Sequence, residues 1–208
     1  MNRLSDDDRR ALLGRIHDTP TRLVVSVAGG SLALSDLQTA PGASRTLLEG
    51  LAPYSRGALA ALVGEEPLPH VSESGASAIA AACLRRALDY AAGAERDGGD
   101  GFPVIGVACT AALATDRERR GDDRAWMAIA AVPAGPVLAG TAPDAAAAET
   151  TTRLVEFPSD ADGPADAAPP ADPSAAAPPA DFHERRMAQE RELADALLTF
   201  VAEHLGAA

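Results

Sequence analysis

At 208 residues the chain is long enough for one core and short for two, and its apolar fraction of 47% contains only 3% aromatics, so the core must be built from Leu, Val, Ile and Ala. A formal net charge of -12 argues against the broad basic surface of a nucleic-acid binder. No apolar run approaches the roughly 20 residues of a membrane helix, and the charged start from Met1 to Arg10 does not read as a signal peptide, so a cytoplasmic protein is expected.

The first helix is predicted from about Asp6 to His17. Ser5 is its N-cap, three aspartates sit at the positive end of its dipole, and Leu12, Leu13 and Ile16 form its apolar stripe. Thr21 to Val27 reads as a buried strand. Ala28, Gly29 and Gly30 then turn the chain into a helix that stops before Pro41-Gly42. Thr46 to Pro53 reads as a second strand, and Ser55 caps a short helix closed by Gly64. The longest internal helix opens at Val71-Ser72-Glu73-Ser74 and runs to about Ala92, with Ile79, Cys83, Ala87 and Tyr90 at helical spacing; a loop follows from Gly93 to Gly101. Phe102 to Cys109 has the continuous apolar character of a strand covered on both faces. Arg124 to Val132 and Thr151 to Phe157 are two further strands, and a last helix from about Phe182 to Leu205 aligns Leu193, Leu197, Phe200 and Val201.

Pro158 to Asp181 differs in kind. Its 24 residues hold seven Pro, nine Ala and five Asp and no basic residue, a composition too poor in apolar bulk to offset chain entropy, so a disordered insertion is expected. A lone terminal helix is marginal unless it packs on something, which favours one domain over residues 1 to 208 with the last helix docked back on the body.

All 18 basic residues are Arg. Arginine stays protonated near neutral pH and cannot act as a general base, so Schiff-base chemistry, a P-loop lysine and a Ser-Lys dyad are all excluded. The two cysteines, Cys83 and Cys109, are too few for a zinc site or a disulfide framework, and the four histidines show no ligand spacing; neither a metal nor a cofactor is expected.

Three places can carry chemistry. The first is Val24 to Ser31, where a buried strand ends in Ser26 and leads through Gly29 and Gly30 to a helix start at Ser31. Such a turn seats a phosphate or an oxyanion, with Ser26 or Ser31 as nucleophile, or it simply packs a helix on a sheet. The second is Cys109-Thr110-Ala111-Ala112, at the carboxyl end of the other buried strand, where open α/β sheets bind ligands. Thr110 is a candidate ligand contact there, while Cys109 is either a nucleophile or a packed hydrophobe. The third is Arg117 to Arg124, either a solvated loop or the source of a forked contact from Arg117 or Arg124 to a phosphate or carboxylate. Arg45 and Arg56, each beside a turn, are further candidates for such a contact.

Taken in order, these segments resemble the CinA C-terminal domain family, whose active members are nicotinamide mononucleotide deamidases. Val24 to Gly30 stands in place of the family's Ala-Glu-Ser-Cys-Thr-Gly-Gly motif, and Pro41-Gly42-Ala43-Ser44 matches its Pro-Gly-Ser-Ser-like turn. Tyr54 to Leu59 falls on Tyr-Ser-Asn-x-x-Lys, Val71-Ser72-Glu73 on its Val-Ser-Glu helix start, and Cys109 to Leu113 on its Val-Thr-Gly-Ile-Ala-Gly-Pro loop. The match is closer to a divergent branch known from plants, in which a CinA-like domain precedes a nucleotidyltransferase-like domain; Pro41 to Ser44, Ala52 to Gly57 and Gly121 to Arg124 carry that likeness.

The resemblance implies a three-layer α/β/α sandwich that takes a small phosphorylated ligand, a pyridine nucleotide in particular. It makes Ser26 the candidate nucleophile and Gly29, Gly30, Ser31, Tyr54, Arg56, Thr110, Arg117 and Arg124 the candidate ligand contacts. It also marks departures. Leu59 stands where the family's lysine does, Val25 replaces the acidic residue before the serine, and the Gly-Pro-Gly stretch after Thr110 is gone. Three readings stay open: an amidohydrolase of impaired or altered activity, a non-catalytic binding or interaction module serving a nucleotidyltransferase on another chain, and an amidohydrolase with Asp122 or a histidine as replacement base. The oligomeric state, a homo-oligomer included, is also open.

Overall fold

The computed structural model describes residues 3–65, 69–96, 102–115, 122–132, 148–157 and 182–208. The expected insertion at 158–181 and the candidate Arg117 lie outside them. The elements are α1 (Asp6–His17), β1 (Arg22–Ala28), α2 (Ser31–Thr39), α3 (Ala43–Thr46), β2 (Leu47–Leu51), α4 (Arg56–Val63), α5 (Glu73–Arg96), β3 (Val104–Ala112), β4 (Arg124–Ala131), β5 (Glu149–Glu156) and α6 (Phe182–His204). The single-turn α3 was not anticipated, and α5 runs on to Arg96 through the glycine at 93, where a loop was expected.

The five strands form one mixed sheet in the order β2-β1-β3-β4-β5. β2, β1 and β3 are parallel, whereas β4 and β5 are antiparallel additions. Helices cover both faces, giving a three-layer α/β/α sandwich. Strand alternation divides the core in two. Val25, Val27, Ile105, Val107, Met127 and Ile129 face α1, α2 and α6. Val24, Ala108, Ala128 and Ala130 face α4 and α5. The first face is filled with branched side chains, the second with small ones. That smallness lets α5 approach closely: a Cβ added at Gly106 would stand 2.2 Å from the Ala80 carbonyl oxygen and 2.2 Å from the Leu84 nitrogen.

α5 carries Ile79, Cys83 and Ala87 into the sheet as its spacing predicts, but Tyr90 lies at the surface, where its hydroxyl accepts from Arg86. The Arg86 guanidinium also grips Glu49 of β2 with two hydrogen bonds of 2.6 and 2.5 Å, holding that carboxyl below the usual carboxylate range.

α6 packs along α1 and α2, with Leu193, Leu197, Phe200 and Val201 all buried. It is also fastened by charge. Asp195 takes two hydrogen bonds from Arg9, at 2.7 and 3.1 Å, and a third from the Leu4 amide at 3.0 Å. Arg191 pairs with Asp36 of α2 at 2.5 Å.

At the amino end of the sheet His17 is fully buried between Thr46 and Leu37. The Leu37 carbonyl can only accept, so Nε2 carries the proton, at 3.1 Å, and the Thr46 hydroxyl donates to Nδ1 at 2.5 Å. Burial lowers the His17 pKa despite the Leu37 hydrogen bond. The folded protein thus holds this imidazole neutral while the unfolded chain protonates it near pH 6.5. The stability so contributed is complete above that pH and is lost as pH falls below it toward the folded value. A His17→Gln variant is expected to show a flatter dependence of melting temperature on pH between 7 and 5 than the parent, measured by scanning calorimetry.

Candidate strand-end site

Open α/β sheets bind ligands beyond the carboxyl ends of parallel strands where the strand order reverses, and here that place lies between β1 and β3. Ser26 lies two residues before the end of β1, between Leu51 of β2 and Ala108 of β3. Alternation with Val24 puts it on the α4/α5 face. It is 1% exposed, and its Oγ has no hydrogen-bond partner among the described residues. A buried hydroxyl without a partner costs about 1–3 kcal/mol, an expense that packing alone does not require, since Ala would fill the same place.

Thr110, at the end of β3, shares this face. It is the register partner of Ala28 and is 3% exposed. Its hydroxyl donates to the His70 carbonyl at 2.9 Å, so the segment leading into α5 is drawn over the strand end. Ser72 caps α5 by accepting from the Gly75 amide at 3.0 Å. Leu59 of α4 is buried in the same cluster as Val24 and Ala76. Tyr54 and Arg56 flank the Ser55 cap of α4, which accepts from the Ala58 amide at 3.1 Å, and Tyr54 is 86% exposed. Arg124 opens β4 in register with Ala112 and Glu156 and lies exposed at the rim.

The glycine turn belongs to the other face. Gly29 and Gly30 have φ of 121° and 73°, in the left-handed region that favours glycine. A Cβ at Gly30 would meet the Leu193 side chain at 3.1 Å, and one at Gly29 would stand 2.5 Å from that of Ala111. Both glycines are therefore needed by the turn and its packing, whatever binds nearby. The α2 amino end already has an occupant: the Ser31 amide donates to the Glu190 carboxylate at 3.0 Å. Arg186 pairs with the other Glu190 oxygen at 2.9 Å and also donates to the Ala114 carbonyl at 3.0 Å. An anion entering at Ser31 would have to displace this buried carboxylate. Gly30→Val is consequently expected to lower stability by about 2–4 kcal/mol, from left-handed strain plus overpacking, and chemical denaturation measures it.

The structure thus brings Ser26, Thr110, Leu59 and Arg124 to one side of the sheet and Gly30 and Ser31 to the other. Cys109 faces the α2/α6 side, where burial pushes its thiol far up, and burial pushes Cys83 up to about 12; neither is an available thiolate. His17 serves the amino end of the sheet. Asp123 is buried and takes hydrogen bonds from Gln189 at 2.8 Å and Arg185 at 3.0 Å, while its neighbour Asp122 is exposed just ahead of β4. Gln189 also accepts from the Ala114 amide at 2.7 Å, so α6 braces the loop after β3 where the glycine-rich stretch is missing. Sequence reasoning missed this bracing and also Trp126, the register partner of Thr110. The signal for Trp126 was present: it is the chain's single Trp, set beside the Gly-Asp-x-Arg segment.

No family model and no curated protein matches the sequence. Solved structures do match the fold. A competence damage-inducible protein A from Klebsiella pneumoniae superposes with a TM-score of 0.59 at 13% identity, over 95% of this chain and 97% of that one. A competence/damage inducible protein from Agrobacterium tumefaciens gives 0.54 at 17% identity, over 96% and 98%. A CinA superfamily protein from Escherichia coli gives 0.53 at 14% identity, over 96% and 94%. The chain therefore has the fold seen in structures of competence-damaged (CinA) superfamily proteins.

Proposed function

We propose that this protein is a divergent CinA-type pyridine-nucleotide protein, with a mononucleotide bound at the carboxyl ends of β1 and β3 on the α4/α5 face and with amidohydrolase activity impaired. The observation that carries the reading is Ser26: a buried hydroxyl without a hydrogen-bond partner among the described residues, near a strand end, in a motif position that resembles the family's nucleophile. Leu59 supplies the second half. It offers only hydrocarbon on the face where the resemblance calls for a lysine amine, so the dyad's base is missing from its place beside Ser26. Arg124 at the rim gives a phosphate a forked, charge-assisted contact. The likeness of Pro41 to Ser44 and Ala52 to Gly57 to the plant-type branch supports a role beside a nucleotidyltransferase on another chain.

A thermal-shift screen over mononucleotides and dinucleotides tests binding. Nicotinamide mononucleotide is expected to raise the melting temperature, and Arg124→Ala to weaken that ligand at least about 10-fold, since each charged hydrogen bond of the fork contributes roughly 1.5 kcal/mol. Absence of any shift with every nucleotide would overturn the reading.

A further inference from the structure

Across the carboxyl edge of the α4/α5 face one row of residues runs Ala28, Thr110, Trp126, Leu154, each the register partner of the next. Deeper on that face the sheet is lined by Gly106, Ala108, Ala128 and Ala130, which suits the close approach of α5. Trp126 breaks this pattern of small residues at the edge near which α5 begins. It packs against the cluster yet stays half-buried, so part of it is accessible at this edge.

A carboxylate stands on the same face of the sheet. Glu73, the first residue of α5, accepts from the Thr152 hydroxyl at 2.8 Å. Thr152 is the partner of Ala128, which places it one diagonal step from Trp126, about 7–8 Å by sheet geometry. The face of an indole attracts cations and stacks with flat rings, and a nearby carboxylate adds to the preference for positive charge. A neutral or anionic ring gains less on both counts.

We propose that Trp126 is the stacking platform of the strand-end site, and that with Glu73 it selects a planar cationic heteroaromatic ring of the pyridinium class. The inference rests on the nucleotide-binding reading above and narrows it, because it distinguishes the oxidised, charged nicotinamide ring from the reduced, neutral one.

The lone indole reports on its own site. Oxidised nicotinamide mononucleotide is expected to quench the emission of the unmodified protein in step with binding followed by calorimetry. Its affinity should exceed that of the reduced form about 5-fold, should fall about 3- to 10-fold in Trp126→Leu, and should be largely kept in Trp126→Phe, which retains a ring. Glu73→Gln keeps an acceptor for Thr152 but removes the charge, and should erase most of the preference for the oxidised ring. Calorimetric binding of the oxidised nucleotide with unchanged indole emission would overturn the platform and leave the nucleotide reading standing. Equal affinity for the two redox forms in the parent protein would overturn the charge selection. Failure of both forms to bind would overturn the nucleotide reading, and this inference with it.

Discussion

Asp195→Ala is expected to destabilise the protein by about 3–5 kcal/mol, a large part of the stability of an ordinary domain. The Asp195 side chain is 3% exposed and the Arg9 side chain 10% exposed, at 2.7 Å, so removing the carboxylate leaves a guanidinium in a desolvated place, facing among the described residues Asp6, the Leu4 carbonyl and a distant Asp36. The Leu4 amide loses its acceptor in the same step. The carboxylate also joins three parts of the chain, namely the segment before α1, α1 itself and α6. Its loss therefore weakens the docking of the helix that braces Ala114 and fills the α2 amino end. Equilibrium unfolding in urea measures the cost. A change under 1 kcal/mol would mean that Arg9 escapes to solvent at little expense. Asp195→Asn keeps one acceptor oxygen, which in the Oδ2 place still serves the Leu4 amide and one Arg9 nitrogen, and is expected to lose less than Asp195→Ala.

Most of the element order was legible because each element carries its own local chemistry. Ser5 and Ser55 cap helices as their spacing predicts, Gly64 closes α4 in the left-handed conformation, and the run around Val104 to Cys109 is covered on both faces. What the sequence left hidden is long-range. Nothing local to Glu190 announces that it reaches Ser31, 159 residues away, nor that Gln189 holds the backbone of Ala114. The division of the glycine turn from Ser26 was hidden for a related reason. Ser26 and Ser31 are close in sequence, but strand alternation sends Ser26 toward α5, while the turn carries Ser31 toward α6. A motif read as one continuous cradle is thus shared between two faces. Small residues mislead in another way. The alanines of α5, β3 and β4 look like weak core formers one at a time, yet together they set how near α5 lies to the sheet and leave Trp126 as the large side chain that β4 presents to this face.

Hydrolysis of the nicotinamide mononucleotide carboxamide by the unmodified protein is expected to run at least about 100-fold below that of lysine-bearing relatives, the low end of what a positioned base contributes. Ser26 must lose its proton as it attacks the carboxamide carbon, and its hydroxyl has no acceptor among the described residues. Leu59 cannot take the proton, the arginines are held charged by their high pKa, and His17 is committed to Thr46 and Leu37 at the other end of the sheet. Strand-end amides can still polarise the carboxamide, so a residual rate is expected rather than none. Leu59→Lys tests the same logic in reverse. Leu59 is 5% exposed within an apolar cluster, and a lysine placed there is driven toward its neutral form by desolvation, the state a base requires. The variant is expected to be less stable than the parent yet to release ammonia faster, with a rate that rises with pH as the amine deprotonates. Ammonia release followed by a coupled assay, with Ser26→Ala as the control, measures both changes. Rapid turnover by the parent protein that disappears in Ser26→Ala would sink the impaired-enzyme reading, because another group would then have to be taking the Ser26 proton, and the first to be replaced in turn would be the exposed carboxylate of Asp122.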